Sequence, residues 1–337
     1  MSTKIELCVD VTSPPCTFAA FVKRMPAYSI ALDGYVSEGP QYSDETDGPY
    51  INFNHHEGVS RLETRATCAQ VLMSIRQGLF TKFRRNGAVT ANVFVNDCDE
   101  DVCLSWFLLK HHYLAEHTNP ILNRLVAMED ALDTTAGAYP YPVDLPALQE
   151  IAWIFEPYRR VRTSGDVQKR QQETFESVIY DVEQRIMQHL VGRGDSIALD
   201  SRFLKIGGGK NWTMVRELGA HARTGMFAEG IRAFVSVREK DPIQVPYYQN
   251  PGITFADEAF QRTGRYPPGI THWIYTIGRM SPFIDFPVAK ILKELNDCEG
   301  TTDDRWGGGD SFGGSPRIHG SRLSPEVVGK VINSLVK

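Results

Sequence analysis

Four segments of the sequence place aspartate or histidine directly after a predicted strand or at the end of a predicted helix. Carboxylate oxygens and imidazole nitrogens together suit Mn²⁺ or Mg²⁺ better than softer metal ions. Crowded carboxylates repel one another unless a bound cation offsets their charge. The segments therefore predict a site for one or two divalent cations. Its candidate residues are Asp33, Asn54-His55-His56, Asp97, Asp99, Asp130 and Asp133.

Each segment also has a structural explanation when it is taken alone. A histidine pair is weak evidence, since Lys110-His111-His112 carries the same pair late in a predicted helix. Asp97 and Asp99 precede a helix, where acids cap the free N–H groups. Acids at the end of a helix, such as Asp130 and Asp133, oppose the helix dipole and favour a role beyond helix stability. The four segments together are much more specific than any one of them.

A glycine-rich stretch and nearby arginines form a second candidate site. Arg279 follows a predicted strand, and Gly307-Gly308-Gly309 opens a loop before the final predicted helix. Glycine lets backbone N–H groups approach an anion closely, and arginine donates forked hydrogen bonds to phosphate. A flexible surface loop is the alternative interpretation. The predicted phosphate-binding residues are Arg279, Gly308, Gly309, Arg317 and Arg322.

Strands and helices alternate through the first part of the chain. The predicted strands are Lys4–Val9, Tyr28–Leu32, Tyr50–Phe53 and Thr90–Val95. The predicted helices are Thr64–Gln77, Asp101–Leu114, Pro120–Ala131 and Leu145–Ile154. This alternation indicates an α/β fold with a largely parallel sheet and helices on both faces, and such sheets bind ligands where their strands end. Residues 1–142 form the predicted metal-binding domain.

The pattern changes after this domain. Gln168–Leu190 carries apolar residues at helical spacing, which indicates one long amphipathic helix. Residues 143–195 are therefore predicted to be a helical connector, with a partner-binding coiled coil as the alternative. Residues 196–337 are predicted to form a smaller α/β domain. Its elements are strands at Phe203–Ile206, Ile231–Arg238 and Thr271–Ile277 and helices at Val288–Leu295 and Pro325–Val336.

The acidic and histidine segments resemble the metal motifs of the DHH phosphoesterase superfamily, and within it the melanocyte-proliferating-gene branch. Proteins of that superfamily use a pair of Mn²⁺ ions to activate a water that attacks phosphorus. The resemblance implies that Asp33 and His55 are metal ligands together with Asp97 and Asp99, and that Asp130 or Asp133 completes the set. It assigns catalytic roles to Asn54, His56 and Asp99, with His56 facing the phosphate.

The glycine-rich stretch resembles the substrate domain associated with DHH proteins. That domain carries an Arg-Ser turn and a Gly-Gly-Gly-His loop that face the metal domain across a cleft. Here Arg279 lies close to Ser281, and the loop reads Gly307-Gly308-Gly309-Asp310 with His319 further along the chain. The resemblance adds His319 to the predicted substrate-binding residues.

The sequence departs from the superfamily pattern in three ways. Asn54 stands where the name-giving triplet has aspartate, the histidine that precedes the strand-end pair of acids is missing, and the Asp-x-Asp element follows the His-His element. The leading hypothesis is a metal-dependent phosphohydrolase, a phosphodiesterase acting on a nucleotide, a short oligonucleotide or another small phosphorylated compound. The departures motivate an alternative, a non-catalytic nucleotide- or phosphate-binding protein derived from such an enzyme.

Composition restricts the partners and the location. Lys and Arg total 36 and Asp and Glu total 41, and the resulting net charge of −5 provides no global positive field for bulk DNA. The sequence has no signal-like amino terminus and no uncharged run of the roughly 18 residues that a membrane span needs. The six cysteines form no CxxC pair. We therefore expect a cytoplasmic protein that does not bind membranes, and a homodimer is compatible with the sequence.

Overall fold

The computed structural model describes residues 3–61, 63–164, 166–239, 272–302, 304–316 and 319–336. The chain divides into two compact units. The first comprises Met1–Gly137 and Asp144–Leu199, and the second comprises Ala138–Val143 and Asp200–Lys337. No helix in the described part of the chain is long and apolar enough to cross a membrane.

The first unit contains a largely parallel sheet. Its strands are β1 (Thr3–Val9), β2 (Ser29–Leu32), β3 (Gln41–Glu45), β4 (Gly48–Phe53), β5 (Arg84–Arg85) and β6 (Ala88–Val95). The strand order is β1-β6-β2-β4-β3, and β5 pairs with β6. The pairs β1–β6, β6–β2 and β2–β4 are parallel, whereas β3 and β5 pair antiparallel with their neighbours. The carboxyl ends of β1, β6, β2 and β4 therefore lie at one edge of the sheet.

Helices pack around this sheet. They are α1 (Phe18–Arg24), α2 (Thr67–Arg76), α3 (Leu79–Lys82), α4 (Glu100–Lys110), α5 (His112–Glu116), α6 (Pro120–Thr134), α7 (Pro146–Ile154), α8 (Glu156–Ser164) and α9 (Gln172–Leu190). In α1 the ring of Phe21 lies 5.7 Å from that of Phe94 on β6. The helices α2, α4 and α6 contact one another. The predicted α/β fold with a largely parallel sheet is confirmed.

The helices of the predicted connector pack within the first unit. The helix α9 contacts α4 and β1, and α7 and α8 contact α9. The apolar stripe of α9 is buried, as the amphipathic pattern predicts. The helix begins at Gln172, because a 3-10 turn at Asp166–Lys169 and a positive φ of 51° at Arg170 interrupt the chain before it.

The second unit contains a mainly antiparallel sheet. Its strands are β7 (Phe203–Gly208), β8 (Thr213–Glu217), β9 (Ala233–Glu239), β10 (Trp273–Arg279), β11 (Gly307–Gly308) and β12 (Phe312–Gly314). They follow the order β11-β12-β10-β9-β8-β7, and β8 and β9 are parallel. The described helices are α10 (Ala222–Ala228), α11 (Val288–Glu299) and α12 (Pro325–Leu335). The helices α11 and α12 contribute Ile291, Leu295, Val328 and Ile332 to a core with Tyr275 and Ile277 of β10.

Candidate metal centre

The parallel strands bring polar residues to the carboxyl edge of the first sheet. Asp33 follows β2, Asn54 and His55 follow β4, and Asp97 follows β6. Asp33 has a positive φ of 48° and precedes Gly34, whose φ is 82°. Aspartate tolerates this left-handed conformation better than most residues. The turn is fixed to the neighbouring strand because the amide of Asp33 donates to the carbonyl of Phe53 at 2.8 Å.

His55 lies at the centre of a cluster of carboxylates. Its side chain is 0 % exposed, and Nε2 lies 2.6 Å from Asp133 Oδ2, 3.4 Å from Asp33 Oδ1 and 3.6 Å from Asp101 Oδ2. Within the described part of the chain, neither ring nitrogen of His55 has a hydrogen-bond partner of acceptable geometry, and Asp133 Oδ2 also lacks one. Buried polar atoms are almost always satisfied in folded proteins. The arrangement of these atoms therefore fits that of ligands for a cation.

The cluster contains two overlapping ligand groups. One consists of Asp33, His55 and His56, and the other of His55, Asp101 and Asp133. In each group the ligand atoms lie within 4.8 Å of one another. A divalent cation bound by oxygen and nitrogen ligands at about 2.0–2.2 Å fits a group of this size. The donor set therefore fits a divalent cation.

The charged groups of the cluster shift one another's pKa values strongly, and the carboxylates repel one another. Burial lowers the pKa of His55, but the carboxylates of Asp133 and Asp33 outweigh burial and raise it to about 11. Burial and the charges of Asp33 and Asp133 raise the pKa of Asp101 to about 7. Burial and the charges of Asp33, Asp97 and Asp133 likewise raise the pKa of Asp99 well above its usual value. A bound cation would relieve this repulsion.

His56 and Arg61 lie on the more open side of the cluster. The side chain of His56 is 29 % exposed, and its Nε2 lies 2.9 Å from Asp33 Oδ1. The guanidinium of Arg61 contacts His56 Nδ1 and donates to the carbonyl oxygen of Asp133 at 3.4 Å. An arginine N–H group can only donate, so Nδ1 is the acceptor in this contact, while Nε2 faces Asp33, whose carboxylate outweighs burial and raises the pKa of His56. Sequence reasoning did not select Arg61.

Asp101 is a second residue that sequence reasoning missed. It lies in the first turn of α4 and is 1 % exposed. Its two oxygens accept hydrogen bonds from the amides of Thr67 and Cys68 at the start of α2, each at 2.7 Å. One carboxylate thus joins the start of α2 to the cluster. The signal available in the sequence was an acid within the apolar helix α4, where an acid is costly to bury.

The two acids of α6 have different positions. Asp133 belongs to the cluster. Asp130 lies one turn earlier, where its Oδ1 accepts from the amide of Ala66 and its Oδ2 pairs with Arg65, both at 2.7 Å. The sequence left open which of the two acids is the ligand. The structure brings Asp133 to His55 and places Asp130 against the segment that leads into α2.

Asp97 and Asp99 are in neither ligand group. Asp99 is the N-cap of α4, where its Oδ1 accepts from the amide of Val102 at 3.0 Å. Asp97 Oδ1 accepts from the amide of Cys98 at 2.7 Å. Asp99 nevertheless interacts with the cluster, since burial and the charges of Asp33, Asp97 and Asp133 raise its pKa. The structure therefore shows Asp99 as a helix cap, and its ligand role stays a prediction.

The side-chain amide of Asn54 holds the loop that follows β4. Its Nδ2 lies within hydrogen-bond distance of Val36 O (3.1 Å), Glu38 O (2.9 Å) and Glu57 Oε2 (2.9 Å). Its Oδ1 accepts from the amide of His56 at 3.0 Å. The sequence predicted a catalytic role for Asn54. In the structure its amide fixes the loop that carries His55 and His56, and its catalytic role stays a prediction.

In the second unit, the predicted phosphate-binding loop is a β-hairpin. Gly308 of β11 pairs with Gly313 of β12, and the amide of Gly309 donates to Phe312 O at 2.8 Å. The guanidinium of Arg279 donates to Ile284 O at 3.2 Å, and its Nη2 lies 3.9 Å from a carboxylate oxygen of Asp310. The amide of Gly309 is therefore already bonded within the hairpin.

The other predicted residues of this unit also make internal contacts. Arg322 donates from its backbone amide to Glu299 Oε1 at 2.8 Å and from Nη2 to Glu299 O at 3.0 Å. The amide of His319 donates to Asp304 Oδ2 at 2.7 Å. Arg317 lies outside the described residues. These contacts stabilise the second unit whether or not the same residues also bind substrate.

No protein-family model, no curated protein and no solved structure matches the chain. Function must therefore be argued from the geometry of the cluster and from the sequence motifs.

Proposed function

We propose that the protein is a metal-dependent phosphohydrolase, a phosphodiesterase that acts on a nucleotide or another small phosphorylated compound. One observation carries the proposal. The imidazole of His55 is fully buried among carboxylate oxygens of Asp33, Asp101 and Asp133, which lie 2.6–3.6 Å from its Nε2, and no hydrogen bond of acceptable geometry satisfies its ring nitrogens within the described part of the chain. Leaving such a group unsatisfied is costly, and a bound cation removes that cost.

The residues that would hold the cation are Asp33, His55, Asp101 and Asp133. Carboxylates favour Mg²⁺ and Mn²⁺, whereas imidazole favours transition-metal ions, so Mn²⁺ is the ion that we propose. When bound, the cation would supply Lewis acidity and positive charge at a phosphoryl oxygen. The sequence resemblance to DHH phosphoesterases supports the choice of a phosphate ester over other hydrolysable groups.

The protein's own residues position these ligands. The ring of His56 directs its Nε2 proton at Asp33, and Thr67 Oγ1 donates to the same Asp33 oxygen at 3.0 Å. These contacts orient Asp33, while the hydrogen bonds of Asn54 hold the histidine loop. The net charge of −5 favours a short substrate, because a long polyanion would need many more cations for binding.

A metal-reconstitution assay tests the proposal. The full-length protein is stripped with a chelator and reloaded with Mn²⁺ or Mg²⁺, and bound metal is measured by mass spectrometry. Hydrolysis of bis(p-nitrophenyl) phosphate is then followed. We expect metal-dependent turnover that Asp133→Asn abolishes. The matched control is Asp130→Asn, which makes the same chemical change one helical turn away and should retain metal and turnover.

A phosphate-binding protein without catalytic activity is the outcome that would replace this proposal. It corresponds to bound metal and measurable nucleotide affinity without turnover under any divalent ion. Asn54 motivates this alternative. It stands where the DHH triplet has an aspartate carboxylate, and its side-chain amide bonds to the loop.

We also propose a cytoplasmic location. All six cysteines are free in the structure, and Cys68, Cys98 and Cys103 are buried. Free buried thiols are typical of proteins from a reducing compartment. Immunofluorescence or cell fractionation with the tagged full-length chain would test this location.

A further inference from the structure

Arg61 is a cation beside the acidic cluster that pairs with none of its acids. Its guanidinium contacts His56 Nδ1 and the main-chain carbonyl of Asp133, neither of which is a carboxylate. Among the described residues, no carboxylate oxygen forms an ion pair with it. Arg65, four residues along the chain, is bonded to Asp130 at 2.7 Å. Two neighbouring arginines thus differ in whether a carboxylate neutralises their charge.

This difference determines what Arg61 can bind. When an arginine is paired with a carboxylate, that carboxylate neutralises its charge and occupies its N–H donors. An arginine that donates to an imidazole and a carbonyl keeps its charge and retains N–H groups for another acceptor. Arg61 is half-buried, and it touches the most exposed histidine of the cluster. Its charge is therefore available where a substrate would meet the metal ligands.

We propose that Arg61 binds a non-bridging oxygen of the phosphoryl group of the substrate. The inference rests on the proposed function, and it names the residue that recognises the phosphate there. The ligand class is a phosphate monoester or diester, or inorganic phosphate as the product. The planar guanidinium matches the geometry of two phosphoryl oxygens, which a lysine ammonium does not. Phosphate recognition is thereby assigned to the first unit, in the segment that follows the histidine pair.

A purely structural role for Arg61 makes a different prediction. If the arginine only held His56, glutamine and lysine at this position would change phosphate affinity alike, because the charge of residue 61 would not matter. If the arginine binds phosphate, glutamine removes the charge and the affinity falls. Lysine keeps the charge without the fork and should give an intermediate affinity. The comparison of Arg61→Gln with Arg61→Lys therefore separates the two roles.

The test measures two affinities for each protein. Isothermal titration calorimetry gives the affinity of the full-length protein for Mn²⁺, and a second titration gives the affinity of the Mn²⁺-loaded protein for inorganic phosphate. We expect Arg61→Gln to bind Mn²⁺ as the wild type does and to bind phosphate on the order of 10- to 100-fold more weakly. The matched control Arg65→Gln removes the same charge nearby and should leave phosphate affinity unchanged.

Three results would overturn the inference, and they differ from one another. Unchanged phosphate affinity in Arg61→Gln, with normal Mn²⁺ binding, refutes the role of Arg61 and leaves the proposed function intact. Loss of Mn²⁺ binding in Arg61→Gln and Arg61→Lys alike makes Arg61 a positioning residue of the metal centre. A wild-type protein that takes up no Mn²⁺ refutes the proposed function, and the inference is refuted with it. Thermal melts of each variant establish that it is folded.

Discussion

Asn54→Asp tests whether the loop around the histidine pair is built as the structure shows. The substitution restores the aspartate of the DHH triplet, so motif reasoning expects it to improve metal binding. The structure predicts the opposite. Asn54 is fully buried, and its Nδ2 lies near the carbonyls of Val36 and Glu38 and the carboxylate of Glu57, at 2.9–3.1 Å. An aspartate carboxylate cannot donate to any of these oxygens and would be repelled by them.

The expected cost follows from these contacts. The carbonyl of Val36 loses its donor, and a buried acceptor without its donor costs about 1–3 kcal/mol, whereas the carbonyl of Glu38 keeps the amide of Asn52 and Glu57 is exposed. A buried charge without a partner adds to this cost. We therefore expect Asn54→Asp to lower the free energy of unfolding by roughly 3–5 kcal/mol at neutral pH. Mn²⁺ affinity should not increase, because the side chain of residue 54 is directed at the carbonyls of Val36 and Glu38 and at the amide of His56.

The assay is urea unfolding followed by circular dichroism, with Asn119→Asp as the matched control. Asn119 is the N-cap of α6, and its side-chain oxygen accepts hydrogen bonds from the amides of Ile121 and Leu122 at 3.1 Å. Aspartate caps a helix as well as asparagine, so the control should change stability by less than about 0.5 kcal/mol. Equal midpoints for the two variants, together with tighter Mn²⁺ binding by Asn54→Asp, would refute this reasoning.

Three further substitutions follow from the same structure. At 100 times its Kd, Mn²⁺ should stabilise the wild-type protein by about 2.7 kcal/mol. Asp133→Asn should lose most of this gain in a thermal melt, and an equal gain would exclude Asp133 as a ligand. Asp101→Asn should cost about 1–3 kcal/mol in urea unfolding, because asparagine offers one oxygen to the two amides that begin α2. Burial raises the pKa of Glu183, but the hydrogen bonds from His111 and Lys110 outweigh burial and hold the pKa below its usual value. Glu183→Gln should therefore destabilise at neutral pH. Its difference from wild type should shrink as the pH falls below the usual glutamate pKa and on through the lowered pKa of the folded protein; a constant difference would contradict this.

The buried strands could be predicted from the sequence, whereas the exposed edge strand could not. Strands β2, β4 and β6 lie close to their predicted bounds, because each is a short apolar run between turn residues. The edge strand β3, Gln41–Glu45, is exposed along almost its whole length and reads as a polar loop. It forms a strand because its backbone pairs with β4, and no pattern of side chains records such a pairing.

The candidate site shows the same division among its acids. Asp33 and His55 could be predicted, because each directly follows a buried strand. Asp130 and Asp133 could not be distinguished, since both lie near the end of one helix pattern. The helix continues to Thr134, which keeps Asp133 in its last turn beside His55. Arg61 lies in a stretch with no periodic pattern, so no local signal identifies it.

The sequence by itself determined that a largely parallel sheet carries acids and histidines at its strand ends, because the order of apolar runs and polar turns is a local property. Only the tertiary structure decided which of those groups meet. Asp101 enters the cluster because α2 begins against α4, and Asn54 stays out of it because its amide is taken up by the carbonyls of Val36 and Glu38. Hydrogen bonds between distant segments decide which side chains join the cluster, and a local pattern cannot record them.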